Sequence, residues 1–290
     1  MLRLTATQRG AYVLDLRSGK LWYVDGAAGE LREVTTLDRG SVIRCQPGVT
    51  LGDDLVLPIA PSRPRQGTAV VLYSRAGKAQ QLAQLDAGTQ RVSLAVSGGK
   101  LFGTARNSVY ALTDDGVNEV ARLRPHSYPT LAASGTQWLF AANPGRDTVT
   151  RIGLAAAGAR EIEHEYAELP HASNPMHLAV DGNGVVFTAN AFSGTVSAIR
   201  PDRSIQTFSL PPAVSAFSSG PAPSTPTKIV IGADNTVYAL AGWVYELAER
   251  DTLVRRVSAD SGLRFVDIAA SPSGPVFATD DEGRVLRLGR

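Results

Sequence analysis

The sequence predicts an all-β fold assembled from a repeated four-strand unit, and three observations carry that prediction. Short period-2 runs rich in Val, Ile, Phe and Thr follow one another along the chain, bounded by Gly, Asn, Asp and Pro turns. A four-part phrase recurs at intervals of about 40 to 48 residues, the spacing of four-stranded units set around a ring. No segment has the length and 3.6-residue apolar period of a substantial helix. Residues 159–169, Ala-Arg-Glu-Ile-Glu-His-Glu-Tyr-Ala-Glu-Leu, have helix-forming composition, but the repeat places an outer strand there and they are read as strand.

The clearest unit runs from Met176-His-Leu-Ala-Val through Val186-Phe-Thr-Ala-Asn190 and Gly194-Thr-Val-Ser-Ala-Ile199 to Ser204-Ile-Gln-Thr-Phe-Ser-Leu210. Its first strand returns at Leu94-Ala-Val, Leu131-Ala-Ala, Ile229-Val-Ile and Ile268-Ala-Ala. Its second, an aromatic followed by small residues, returns at Leu101–Ala105, Trp138–Asn143, Val237–Ala241 and Val276–Asp280. The third carries Val-x-x-Leu/Ile, beginning at Val109, Val149, Val196, Val244 and Val285. Two further units precede these. One reads Leu2–Ala6, Ala11–Asp15, Lys20–Val24 and Glu30–Thr36; the other reads Val42–Cys45, Leu55–Ile59, Ala69–Tyr73 and Ala79–Leu85, interrupted by a Pro/Arg-rich insertion at Ala60–Gln66.

Seven units of about 41 residues define a single-domain, seven-bladed β-propeller of four-stranded antiparallel blades. Six or eight blades are the alternatives if the degenerate second unit is divided differently. The blades fall at approximately 1–39, 40–88, 89–125, 126–173, 174–213, 214–261 and 262–290, and the last has only three strands. Either residues 2–6 supply its fourth strand, or the first blade keeps them and the last stays short; the gapless register of the first unit favours the second arrangement.

Composition removes other classes. The chain has 290 residues with 29 Lys+Arg against 27 Asp+Glu, and basic residues meet acidic ones in nearly every segment, so no nucleic-acid footprint exists. Cys45, the single cysteine, can make no internal disulfide. No apolar run reaches the roughly 18 residues of a membrane span, and the strand-like N-terminus lacks a signal-peptide core. A cytoplasmic location is the expectation for the chain as it stands, and a secreted or envelope location if it is an excised domain.

The phrases Ser173-Asn-Pro-Met-His-Leu-Ala-Val-Asp-Gly-Asn-Gly-Val-Val-Phe-Thr-Ala-Asn190 and Ser193–Asp202 resemble blades of the NHL-repeat, streptogramin-lyase and gluconolactonase-like propellers, with weaker echoes at Ser127–Ala133 and Ser224–Ile231. For the lyases the resemblance implies a His-Glu-His set with magnesium at the channel mouth, yet their blade-opening Pro-His is Pro-Met or Pro-Thr here. The lactonase metal set of Glu, Asn and Asp has no clear match either. A Trp-Asp ending is absent, so the blades are not of WD-repeat type.

Innermost strands of a propeller line its channel, and the residue before each Leu/Ile-Ala/Val phrase faces it. Those residues are Arg3, Ser93, Thr130, His177, Lys228 and Asp267. The trio His177, Lys228 and Asp267 falls on successive blades and supplies an imidazole, an ammonium and a carboxylate as candidate acid, base and charge partner; polar lining of a water-filled channel explains the same residues. His126, His171, Tyr128, Asn174 and Arg264 enter the inner strands from loops and are candidate ligand contacts. No metal-ligand spacing is present, so no metal site and no resident cofactor are assigned; Mg2+ or Ca2+ is expected only if the protein is an enzyme. Ser97-Gly-Gly-Lys100 fits Ser-x-x-Lys, but its glycines sit where a hairpin is required. The insertions at Pro58–Gly67, with Arg63 and Arg65, and at Ser215–Pro226 are places where binding is commonly grafted. The expected function is therefore a non-catalytic binding or scaffolding propeller that presents one face to a protein, peptide or glycan partner. The alternative is a lyase or lactone hydrolase at the channel mouth.

Overall fold

A computed structural model describes residues 2–38, 47–60, 67–86, 91–124, 129–154, 161–211, 225–247, 254–256, 264–270 and 275–288. Alternating apolar and polar residues between tight turns give seven antiparallel sheets, each a meander in which chain neighbours pair. Blade one is β1 (Leu2–Ala6), β2 (Gly10–Asp15), β3 (Lys20–Asp25) and β4 (Leu31–Thr36); blade two is β5 (Val49–Leu51), β6 (Asp54–Ile59), β7 (Thr68–Tyr73) and β8 (Ala79–Leu85). Blade three is β9 (Leu94–Ser97), β10 (Lys100–Ala105), β11 (Ser108–Thr113) and β12 (Gly116–Arg122). Blade four is β13 (Thr130–Ser134), β14 (Trp138–Asn143), β15 (Thr148–Gly153) and β16 (Ile162–Glu168). Blade five is β17 (Pro175–Val180), β18 (Val186–Asn190), β19 (Thr195–Ile199) and β20 (Ile205–Ser209). Blade six is β21 (Lys228–Ile231), β22 (Val237–Leu240), β23 (Val244–Leu247) and β24 (Val254–Arg256), and blade seven is β25 (Phe265–Ala270), β26 (Val276–Asp280) and β27 (Val285–Leu288). The only helical element among the described residues is a 3-10 turn at Pro144–Arg146.

The first strands of the blades touch in cyclic order, with β1 against both β5 and β25, so the ring closes between blades seven and one. β1 pairs with β2 and stays in its own sheet, while blade seven has three strands among the described residues. One expectation changes. The inner strand of blade two is Val49–Leu51, whereas the expected Val42–Cys45 segment lies outside the described residues, Cys45 included.

Each joint between blades holds one apolar cluster. The repeat fills it in a regular way. Val109, Val149, Val196 and Val244, the opening valines of the third-strand pattern, are completely buried. At the end of the fourth strand or just after it a leucine turns inward: Leu37, Leu85, Leu123, Leu169 and Leu210 are all buried, each in the cluster shared with the next blade. Four of them donate their backbone N–H to the turn joining the second and third strands of their own blade, at Gly19, Asn107, Asp147 and Gly194. Each such leucine is worth roughly 1.5–3 kcal/mol of burial.

Candidate functional site

An innermost strand has one edge with no strand partner, so its N–H groups need acceptors from elsewhere. The polar residues at the channel position supply them across the joints. Ser93 Oγ, in blade three, accepts from Leu131 N of blade four at 2.9 Å. His177 Nδ1, in blade five, accepts from Ile229 N of blade six at 3.4 Å. Asp267 Oδ2, in blade seven, accepts from Leu4 N of blade one at 2.7 Å. In every case the donor is the apolar residue immediately after the next blade's own channel residue: Thr130, Lys228 and Arg3.

The backbone aims two of these side chains. A β-bulge interrupts the β17–β18 register between Pro175 and His177, and another interrupts β25–β26 between Phe265 and Asp267. An extra residue at that point bends the strand and re-aims the side chains beyond it. The structure brings His177, Lys228 and Asp267 into one stretch of channel wall. Lys228 Nζ donates to Asp267 Oδ1 at 2.8 Å, with side-chain exposures of 12% and 2%. Asp267 Oδ1 also accepts from Ile268 N at 2.9 Å, so both carboxylate oxygens are occupied. Burial, and secondarily the Lys228 ammonium, push the His177 imidazole from 6.5 down to about 3 against the opposing pull of Asp267, so it is neutral at pH 7.

The remaining candidates are distributed around the ring. Arg3 Nε and Thr130 Oγ1 are buried polar atoms without a protein partner. In blade two the corresponding place is held by Pro47, which offers no polar side chain. His171 and Asn174 lie outside the channel, in the loop entering β17: His171 is fully exposed, 4.0 Å from the Asp147 carboxylate, and Asn174 N donates to Asp147 Oδ1 at 2.6 Å. Arg264 is exposed, and its carbonyl accepts from Asp281 N. His126, Tyr128, Arg63 and Arg65 lie outside the described residues, as does the Ser215–Pro226 insertion up to residue 224.

Two features escaped sequence reasoning. The side chain of Phe192, at the tip of the β18–β19 turn, is 73% exposed, and its N–H bonds Ser173 O while Ala191 N bonds Asn174 O. An aromatic is thereby held out on a turn anchored to Ser173 and Asn174. Asp147 is the anchor's other half, accepting from Ala172 N at 2.9 Å as well as from Asn174 N. The three residues Asp147, Ala172 and Asn174 all have left-handed backbone conformations, which that carboxylate compensates. The turn phrase Asn190-Ala-Phe-Ser-Gly194 was visible in the sequence; that its aromatic points outward was not.

With this geometry in view, the protein is a seven-bladed β-propeller whose resemblance to streptogramin-lyase and gluconolactonase-type propellers holds at the level of fold. A structure of a streptogramin B lyase superimposes with a TM-score of 0.73 and 15% identity, covering 99% of this chain and 92% of that one. A gluconolactonase from Xanthomonas campestris gives 0.54 at 18% identity over 82% of each chain, and a WD40 β-propeller domain gives 0.67 at 10% identity over 99% of this chain and 92% of that one. No protein-family model and no curated sequence matches the chain. The magnesium site implied by the lyase resemblance does not fit the channel residues found here. Asp267 has both oxygens engaged, His177 turns Nδ1 to a backbone N–H, and among the described residues no three His, Cys, Asp or Glu side chains converge.

Proposed function

We propose that this propeller is a non-catalytic binding or scaffolding module that presents the face bearing the second-to-third-strand turns to a protein, peptide or glycan partner. The observation that carries this reading is the engagement of the channel's acid–base groups in holding blades together. A carboxylate that accepts from Lys228, Ile268 N and Leu4 N has both oxygens committed to the fold, and an imidazole held near 3 is a weak base at pH 7. Lyase, lactonase and WD40 propellers share the fold, so fold alone does not choose among them. Phe192, on a turn tied to the backbone of Ser173 and Asn174, supplies a preorganised aromatic contact suited to a peptide backbone or a sugar face.

Two assays test the reading. Purified protein incubated with Mg2+ or Ca2+ and a panel of lactones and cyclic depsipeptides is expected to show no turnover; turnover abolished by His177→Ala contradicts the proposal and favours the hydrolase or lyase alternative. Peptides selected on the protein by phage display are expected to lose binding to Phe192→Asp; selection that ignores this substitution removes the assigned face.

A further inference from the structure

One arrangement of donors stands at two places in the channel wall, and at one of them the acceptor is missing. Around blade seven the donors are the Lys228 ammonium of blade six, the Ile268 N–H of blade seven itself and the Leu4 N–H of blade one. All of them meet the Asp267 carboxylate: Lys228 Nζ and Ile268 N reach Oδ1 at 2.8 and 2.9 Å, and Leu4 N reaches Oδ2 at 2.7 Å. Around blade two the same positions are held by Arg3 of blade one, Gly48 of blade two and Leu94 of blade three. Strand register fixes the correspondence. Leu51 pairs with Asp54 across a tight turn as Ser97 does with Lys100, which sets Gly48 level with Leu94 and Pro47 level with Ser93. Pro47 therefore stands where Asp267 stands, and it offers no carboxylate. Leu2, Leu4 and Ala6 pack into the cluster between blades seven and one, so strand alternation turns Arg3 toward blade two. There β1 lies against β5, and Thr50 Oγ1 donates to Ala6 O at 3.4 Å. Arg3 Nε is buried without a protein partner, and among the described residues no ion pair holds the guanidinium. Arg3 cannot accept from Gly48 N–H, and Pro47 cannot accept from Leu94 N–H, so donors face donors across an empty acceptor position.

We infer that a carboxylate from outside the chain binds over Pro47, in the position that the Asp267 carboxylate takes at blade seven. One oxygen accepts from Arg3 and Gly48 N, and the other accepts from Leu94 N. A guanidinium matches the planar carboxylate and supplies its counter-charge, so the site prefers this anion to a neutral ligand. Entry is from the channel mouth. Pro47 is exposed and Arg3 is only half-buried, and Arg3 pairs with Leu14 one residue before β2 ends, on the side of the second-to-third-strand turns. A small carboxylate and the carboxyl terminus of a partner chain present the same chemistry to these donors. No residue of the Phe192 turn takes part, so the inference does not rest on the function proposed above.

The test is proton–nitrogen NMR of the full chain titrated with acetate, with Leu131 N, already held by Ser93, as the internal reference. The amides of Gly48 and Leu94 and the Arg3 Nε–H are expected to shift together and saturate in the millimolar range, while Leu131 stays in place. Acetamide, the neutral analogue, is expected to leave all of them unmoved. Arg3→Gln keeps a donor but removes the charge, and acetate is expected to bind about tenfold or more weakly. Pro47→Asp supplies the missing carboxylate from the chain itself; it is expected to abolish acetate binding and to shift Gly48 and Leu94 without any ligand. Should Arg3→Gln fail to fold, Pro47→Asp and the acetamide comparison carry the test. Acetyl-Gly-Gly identifies the bearer: binding about tenfold tighter than acetate, lost on amidation of its carboxyl group, assigns a chain terminus, and binding equal to that of acetate assigns a small carboxylate. Gly48 and Leu94 unmoved at about 100 mM acetate, an equal response to chloride, or acetate binding that survives Pro47→Asp overturns the inference.

Discussion

The joints between blades three and four and between blades seven and one are closed by the same device under different loads. In both, a polar side chain at the channel position accepts the N–H of the next blade's inner strand. At the first joint the acceptor is the neutral Ser93 hydroxyl, and Leu123 plugs the interface behind it. At the second the acceptor is a carboxylate, buried and paired with Lys228, and no leucine plug comes after the third strand among the described residues. Of these two joints, the one with the smaller apolar cluster among the described residues has the charged fastening. The difference shows why a buried charge sits in this channel: the seam between chain regions 263 residues apart has the smaller apolar cluster and relies on a charge-assisted bond.

Four substitutions break or sharpen that contrast. Asp267→Ala removes the acceptor of Leu4 N and strands the Lys228 ammonium in the channel wall, so urea unfolding is expected to show a loss of about 3–5 kcal/mol. Leu210→Ala, at a plugged joint, is expected to cost about 2–4 kcal/mol, whereas Val285→Ala, where no plug stands among the described residues, should cost less than about 1 kcal/mol. Ser93→Ala removes one neutral hydrogen bond, and a loss of about 1 kcal/mol is expected. If Ser93→Ala proves as damaging as Asp267→Ala, the two joints are not differently loaded.

The imidazole adds a pH signature at the smaller end of the scale. His177 titrates near 6.5 when unfolded and near 3 when folded, so between those values the unfolded chain binds the extra proton. Its contribution is intact above pH 6.5 and is lost as pH falls toward 3, with a slope of at most about 1.4 kcal/mol per pH unit. His177→Gln is expected to flatten that part of the stability profile; an unchanged slope between about pH 6 and 4, where the two states differ by roughly one proton, would place the imidazole in solvent. Phe192→Asp, on an exposed turn, is expected to shift stability by no more than about 0.5 kcal/mol in the same experiment.

The blades were legible wherever the repeat kept its small and large residues in order. Val196 and Val285 announced third strands, and the turn glycines marked hairpins. Blade two hid its inner strand because the sizes are exchanged. In blade three Leu94 lies over Gly103, where a Cβ would come within 3.2 Å of the leucine; in blade two Gly48 lies under Leu57, 2.7 Å from where a Cβ would stand. Packing volume survives the exchange, but the Leu-Ala-Val phrase does not. Polar residues at the channel position were equally visible as a series. Their partners were not, because a backbone N–H carries no side-chain signature and the donors lie far along the chain, as Leu4 does from Asp267. The same residue types, read without those donors, resemble an acid–base set.

Amide hydrogen exchange at Leu4, with Leu131 as the internal reference, decides whether the channel carboxylate is a fastener. If it is, both amides exchange slowly in the native protein, and Asp267→Ala releases Leu4 while Leu131 keeps its protection from Ser93. Fast exchange of Leu4 in the native protein, or protection that survives Asp267→Ala, would contradict that role and return Asp267 to the pool of groups available for chemistry.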